Sequence, residues 1–168
     1  MNCACKMKIT KCIADGNCLF HAISNCCFEK YRHLNREQKQ QFALDLRAFV
    51  RSQISKPKIQ ELIQDRFPLL FLENKPAAVF ASMRKELEGR KSLFYHFAFI
   101  FALIHEIETG EKIDFIFVRN GRPMLFMHKD DVRYGIIVVK RGHYDCVEGL
   151  HSPECSIIKA LGSKKPEK

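Results

Sequence analysis

Asp15-Gly16-Asn17-Cys18-Leu19-Phe20 is the stretch from which the rest of the chain can be read. A glycine-bearing turn delivers a cysteine to the start of a helix expected over 18–28. In that helix Leu19, Ala22, Ile23 and Cys26 recur on one face. A helix start offers unpaired N–H groups and the positive end of the helix dipole. A cysteine set there favours its nucleophilic thiolate form. Such a thiol is a hydrolytic nucleophile once the fold brings a base to it.

The base is found about 125 residues on, in Gly142-His143-Tyr144-Asp145. Residues two apart on a strand face the same way, so Asp145 can reach along the strand to the His143 ring. A carboxylate on one ring nitrogen fixes the tautomer and aims the other nitrogen. Cys146 falls on the opposite strand face and is expected in the core.

Helices dominate what lies between. Asn35 is placed to cap a helix that ends before Pro57. Its apolar stripe is Phe42, Leu46, Phe49, Val50 and Ile54, and Arg36, Lys39 and Arg47 fall among its solvated positions. Pro57 and Pro76 each suit the first turn of a further helix. Pro68 breaks the first of these, and Gly89 stops the second. The stretch 93–107 is apolar all round, so a central helix is expected there.

After it the period changes. Residues 114–119, 124–127, 134–139 and 143–147 read as strands, with turns at Asn120-Gly121-Arg122-Pro123 and Lys140-Arg141-Gly142. Helices followed by a small, mostly antiparallel sheet make the fold class α+β. The organisation expected is a flexible basic lead-in over 1–12, one domain over 13–158, and a basic disordered tail over 159–168.

Asp-Gly-Asn-Cys-Leu-Phe-His-Ala at 15–22, together with Gly-His-Tyr-Asp at 142–145, resembles the ovarian-tumour (OTU) cysteine proteases, of which this chain would be a divergent, near-minimal member. The resemblance implies a papain-like fold. It also implies a thiol-protease hydrolase, a deubiquitinase that cuts after the C-terminal glycine of ubiquitin or a ubiquitin-like modifier. Cys18 matches the nucleophile, His143 the general base and Asp145 the acid that orients it. Asp15, Gly16 and Asn17 match the loop that forms the oxyanion hole, with backbone N–H groups from about Gly16 to Cys18 as donors and Asp15 shaping the loop. Gly142 and Tyr144 flank His143 and would help wall a slot for the modifier tail. The segment 57–90 would hold the globular part of ubiquitin, or else pack on the core as an amphipathic helix pair.

Composition sets the partners. The 168 residues carry 28 Lys and Arg against 19 Asp and Glu, a net charge of +9. Residues 1–12 add three lysines and no acid, and residues 159–168 add four lysines against Glu167, so the body is only weakly basic. A nucleic-acid-binding face would gather its charge on a folded surface, so nucleic acid is not an expected partner. Ubiquitin, ubiquitin chains or a ubiquitin-like modifier is. The longest apolar run, 97–104, is too short to span a bilayer, and no membrane partner is expected. The opening residues lack the apolar run of a signal peptide, so the eight cysteines are read as reduced. The compartment expected is cytoplasmic or nuclear, or a host cytosol for a viral protein or bacterial effector. No cofactor or metal is expected, because Cys3, Cys5, Cys12, Cys26 and Cys27 match no paired zinc spacing.

His21 is a weaker rival base on the same helix as Cys18, read as a packing or rim residue. His96 and His105 are read as core or boundary histidines. Two other readings stay open: a catalytically silent OTU-like module that binds ubiquitin, and a basic nucleic-acid-associated protein.

Overall fold

Thirteen short elements alternate from a helical first half into a five-stranded sheet, in a computed structural model that describes residues 7–124 and 126–164. The helices are α1 (Cys18–Cys27), α2 (Glu29–Arg32), α3 (Arg36–Gln53), α4 (Pro57–Arg66), α5 (Pro76–Glu88), α6 (His96–Thr109) and α7 (Ser156–Gly162), with a 3-10 turn at Pro68–Phe71. The strands are β1 (Ile9–Thr10), β2 (Ile113–Arg119), β3 (Arg122–Met124), β4 (Arg133–Lys140) and β5 (His143–His151).

Local chemistry explains most helix ends. Asn35 caps α3 in a closed capping box: its side chain accepts the Gln38 N–H at 2.9 Å, and the Gln38 side chain accepts the Asn35 N–H at 3.1 Å. Pro57 and Pro76 open α4 and α5, where their missing N–H costs nothing. Gly110 ends α6 in the left-handed region.

The sheet order is β1-β5-β4-β2-β3. Three of its pairings are antiparallel, but β2 and β4 run parallel, with Ile116 opposite Ile136 and Val118 opposite Val138. The fold class is therefore α+β with a mixed sheet. Strand alternation divides the core in two. Phe115 and Phe117 of β2 pack with α1 and α6, while Ile116 and Val118 face the other way onto Ile157, Ile158 and Leu161 of α7.

Several sequence expectations need correction. The 1–12 lead-in is tied to the sheet from residue 9: Ile9 lies opposite Val147, Thr10 lies opposite Cys146, and Cys12 is buried. Its first six residues lie outside those described, as do Cys3 and Cys5. The tail from 159 is not disordered at its start, because Lys159 to Gly162 continue α7 and Leu161 is buried. Three aliphatic side chains of α7 bury against the sheet, each contributing about 1.5–3 kcal/mol. That outweighs the lysines around them. Residues 165–168 lie outside the described part.

The strand expected over 124–127 is instead Arg122–Met124, because the turn is only Asn120-Gly121, both at positive φ. Pro123 is tolerated there because β3 is an edge strand. β5 runs on to His151, past the expected 147.

Among the described residues no helix is long and apolar enough to cross a membrane.

Candidate active site

The helix α1 lies along β5. Near one end, Cys26 Sγ contacts the Val147 carbonyl at 3.6 Å. At the other, Cys18 comes within electrostatic reach of the Tyr144 phenol. Eight helical residues advance about 12 Å and three strand residues about 10 Å, so the two elements keep step. This alignment sets the first residue of α1 beside the first residues of β5.

The β4–β5 hairpin fixes His143. Arg141 and Gly142 both have positive φ, the two-residue turn that matches strand twist, and His143 pairs directly across it with Lys140. His143 Nε2 bonds Asp145 Oδ1 at 2.8 Å. The same carboxylate oxygen accepts the Cys12 backbone N–H at 2.8 Å. Asp145 is mostly shielded, while the His143 side chain keeps 30% of its exposure. With Nε2–H given to Asp145, Nδ1 is the nitrogen left to accept a proton.

Cys18 is buried, and its sulfur lies 3.9 Å from Ser92 Oγ. Among the described residues no hydrogen bond joins Cys18 to His143. Tyr144 is buried and donates its hydroxyl to the Leu93 carbonyl at 2.9 Å. Burial pushes its phenol up to about 12, with Cys18 and Tyr95 adding and Arg119 opposing. Segment 89–93 is thus strapped over the site by Ser92 and Leu93.

The loop before Cys18 is held on both sides. Asp15 Oδ1 accepts the Asn17 N–H at 3.0 Å. Gly16 has φ +82°, and a Cβ on it would stand 1.9 Å from the Arg90 carbonyl oxygen, so only glycine fits. The Asn17 N–H is therefore already used, which removes one of the three oxyanion donors expected from this loop. Among the described residues, the N–H groups of Gly16 and Cys18 have no acceptor.

His21 is not a rim residue. It is fully buried, with Nε2 at 3.0 and 3.1 Å from the two Asp15 oxygens and Nδ1 2.5 Å from the Tyr31 hydroxyl. Burial pushes its pKa down against the pull of Asp15. A neutral ring donating to Asp15 and accepting from Tyr31 satisfies both nitrogens. His21 therefore has no lone pair to spare for the thiol, and its effect is to hold Asp15.

Arg47 overturns its expected place among the solvated positions. It is 2% exposed and bonds five oxygens. Its Nη1 donates to Asn17 Oδ1 at 2.8 Å and to the Gly16 carbonyl at 3.3 Å. Nε and Nη2 donate to the carbonyls of Leu87, Glu86 and Lys91 at 2.8, 2.6 and 3.2 Å. One guanidinium joins the loop before Cys18 to the end of α5 and the strap. The signal lay in the helical period, since Ala43, Leu46, Arg47 and Val50 form the inward face, and Phe49 is 38% exposed. Ser92 carried no comparable signal.

The segment 57–90 packs on the core and also leaves apolar side chains exposed. Ile59, Ile63, Phe80, Met83 and Leu87 pack into the core, as an amphipathic pair would. Leu69 and Leu72, at the 3-10 turn, are 78% and 73% exposed. Leu69 borders an apolar cleft of about 680 Å³ with Phe67, Phe94, Tyr95, Phe99 and Met127.

Two other histidines lie apart from the site. His96 stacks on Phe94, and burial pushes its pKa down to about 4. His105 bonds Glu111 at 3.0 Å. Cys12 and Cys146 are buried thiols with sulfurs 3.8 Å apart. Among the described residues no group of three or more His, Cys, Asp or Glu side chains could hold a metal ion.

No protein-family model, no curated protein and no solved structure matches this chain.

Proposed function

We propose that this protein is a cysteine isopeptidase with a papain-like OTU fold. It cuts the bond after the C-terminal glycine of ubiquitin or a ubiquitin-like modifier. The observation that carries the reading is the His143–Asp145 bond at 2.8 Å, which leaves Nδ1 open at the end of β5 where α1 begins with Cys18.

In this reading His143 Nδ1 takes the thiol proton. The Cys18 sulfur attacks the glycyl carbonyl and forms a C–S bond, and the oxyanion accepts the N–H groups of Gly16 and Cys18. The C–N bond breaks as the His143 imidazolium gives its proton to the leaving lysine amine. Water, losing a proton to His143, then attacks the thioester; the C–S bond breaks, His143 returns the proton to the Cys18 sulfur, and the modifier leaves with a free carboxylate. Gly142 and Tyr144 wall the tail slot. The apolar cleft at Leu69 and Phe94 receives the globular part of the modifier.

A catalytically silent ubiquitin-binding module is the second reading. The observation on its side is the contact of the Cys18 sulfur with Ser92 rather than His143. Catalytic hydrogen bonds often close only around substrate, so the Ser92 contact is compatible with an active enzyme.

Ubiquitin and ubiquitin-like modifiers carrying a C-terminal thiol-reactive group separate the two readings. The enzyme forms an adduct that Cys18→Ala does not. Binding without any adduct would leave the silent module.

A further inference from the structure

The parallel pairing of β2 with β4 brings their carboxyl ends together, with Val118 opposite Val138. Arg119 and the turn after it therefore lie beside Val139, Lys140 and the turn that carries Arg141 and Gly142. Between the two turns runs a groove of about 460 Å³ lined by Arg119, Asn120, Val139, Lys140, Arg141 and Gly142. Arg119, Lys140 and Arg141 are exposed, and so is Arg122 at the start of β3. Lys164 reaches the same place from beyond α7, donating to the Gly121 carbonyl at 3.0 Å. No acidic side chain lines the groove, and none of these five cations makes an ion pair among the described residues. Such a cluster, held against its own repulsion, raises the local concentration of anions.

The groove reaches the residue next to the candidate base. Gly142 forms its wall, and His143 is the next residue. Arg119 acts electrostatically on Tyr144, as does Cys18.

We propose that this groove is a binding site for acidic peptide. It takes Asp and Glu side chains that flank the modified lysine, on the leaving-group side of the bond being cut. The proposal rests on the isopeptidase reading for its place in the reaction, but the binding stands on the groove alone. Peptide fits better than nucleic acid because the cations span only two adjacent turns. A nucleic-acid track would extend further and interleave aromatic platforms. A few carboxylates next to the scissile lysine match the span.

Two measurements on the full-length protein test this. The first is turnover of modifier linked to three leaving groups: an aminocoumarin, a lysine peptide flanked by glutamates, and the same peptide with glutamines. At low salt, wild type should favour the acidic over the neutral peptide by about tenfold in kcat/KM, within the range of electrostatic steering. Arg119→Gln/Lys140→Gln/Arg141→Gln should lose that preference with a smaller change in coumarin release. About 0.5 M salt should abolish it in wild type as the screening length shortens. Equal loss on coumarin and peptide would place the groove on the modifier side and overturn the proposal.

The second is fluorescence anisotropy of the two free peptides, which needs no catalysis. Discrimination between them without coumarin release would sink the isopeptidase and keep the groove. Release without discrimination would do the reverse. Tighter binding of a single-stranded oligonucleotide than of a glutamate peptide of equal charge would also overturn the assignment.

Discussion

Cys12 gives its backbone N–H to the same Asp145 oxygen that holds the His143 ring. The acid of the candidate triad is therefore braced by the segment just after β1, and its single oxygen faces two donors. An asparagine at 145 can still present an amide oxygen to both, whereas alanine releases both. Asp145→Asn should keep measurable turnover, reduced about tenfold to a hundredfold by the loss of a charged acceptor worth about 1.5–3 kcal/mol. His143→Ala should have none. Steady-state kinetics on a modifier–coumarin reporter checks both. Full activity of Asp145→Asn would show that orientation of His143 does not need this charge.

Arg47 should matter to both stability and turnover. Replacing it with methionine leaves two buried oxygens, the Leu87 carbonyl and Asn17 Oδ1, without this donor, at about 1–3 kcal/mol each. A total near 3 kcal/mol corresponds to a fall in Tm of about 6–12 °C for a chain of this size. At temperatures where the variant is still folded, adduct formation should slow, because the Gly16 carbonyl and Asn17 side chain lose their anchor. A variant that melts normally and reacts normally would contradict the bracing role.

Gly16 and Gly121 share a positive φ, of +82° and +74°, but only Gly16 has a backbone oxygen where Cβ would go. Gly121→Ala should cost about 1 kcal/mol and leave reactivity unchanged. Gly16→Ala must push the loop off the strap. Displacing the nucleophile by about 1 Å should slow adduct formation about a hundredfold. Parallel melting curves and labelling time courses separate strain from displacement.

The half-buried His96 supplies a pH test. Its pKa falls to about 4 in the fold, against about 6.5 when unfolded. The unfolded chain then binds more protons between those values. This contribution to stability is complete above about pH 6.5 and is lost as pH falls toward 4. Wild-type Tm should drop more between pH 7 and 5 than that of His96→Gln. Equal drops would show that other groups carry the acid sensitivity.

The placement of Cys18, His143 and Asp145 was legible because it depends on short-range geometry. A glycine turn before an apolar helix places Cys18, and the two-residue period of a strand places Asp145 beside His143. Helix starts at Asn35, Pro57 and Pro76 were equally local. What escaped depends on partners distant in the chain. Nothing within residues 9–12 announces that they pair with β5, and nothing in β2 announces a parallel neighbour. Arg47 was misplaced because its charge was weighed above its position on the inward face. α7 was overlooked because its lysines obscured Ile157, Ile158 and Leu161.

The pairing of β1 with β5 also bears on biosynthesis. β1 leaves the ribosome more than 130 residues before its partner β5, and α1 rests on that same late strand. Contacts of such separation slow folding. In the proposed reading the thiol of Cys18 is made early and has no base until β5 emerges, so the nascent chain carries a nucleophile that cannot yet act on the modifiers around it.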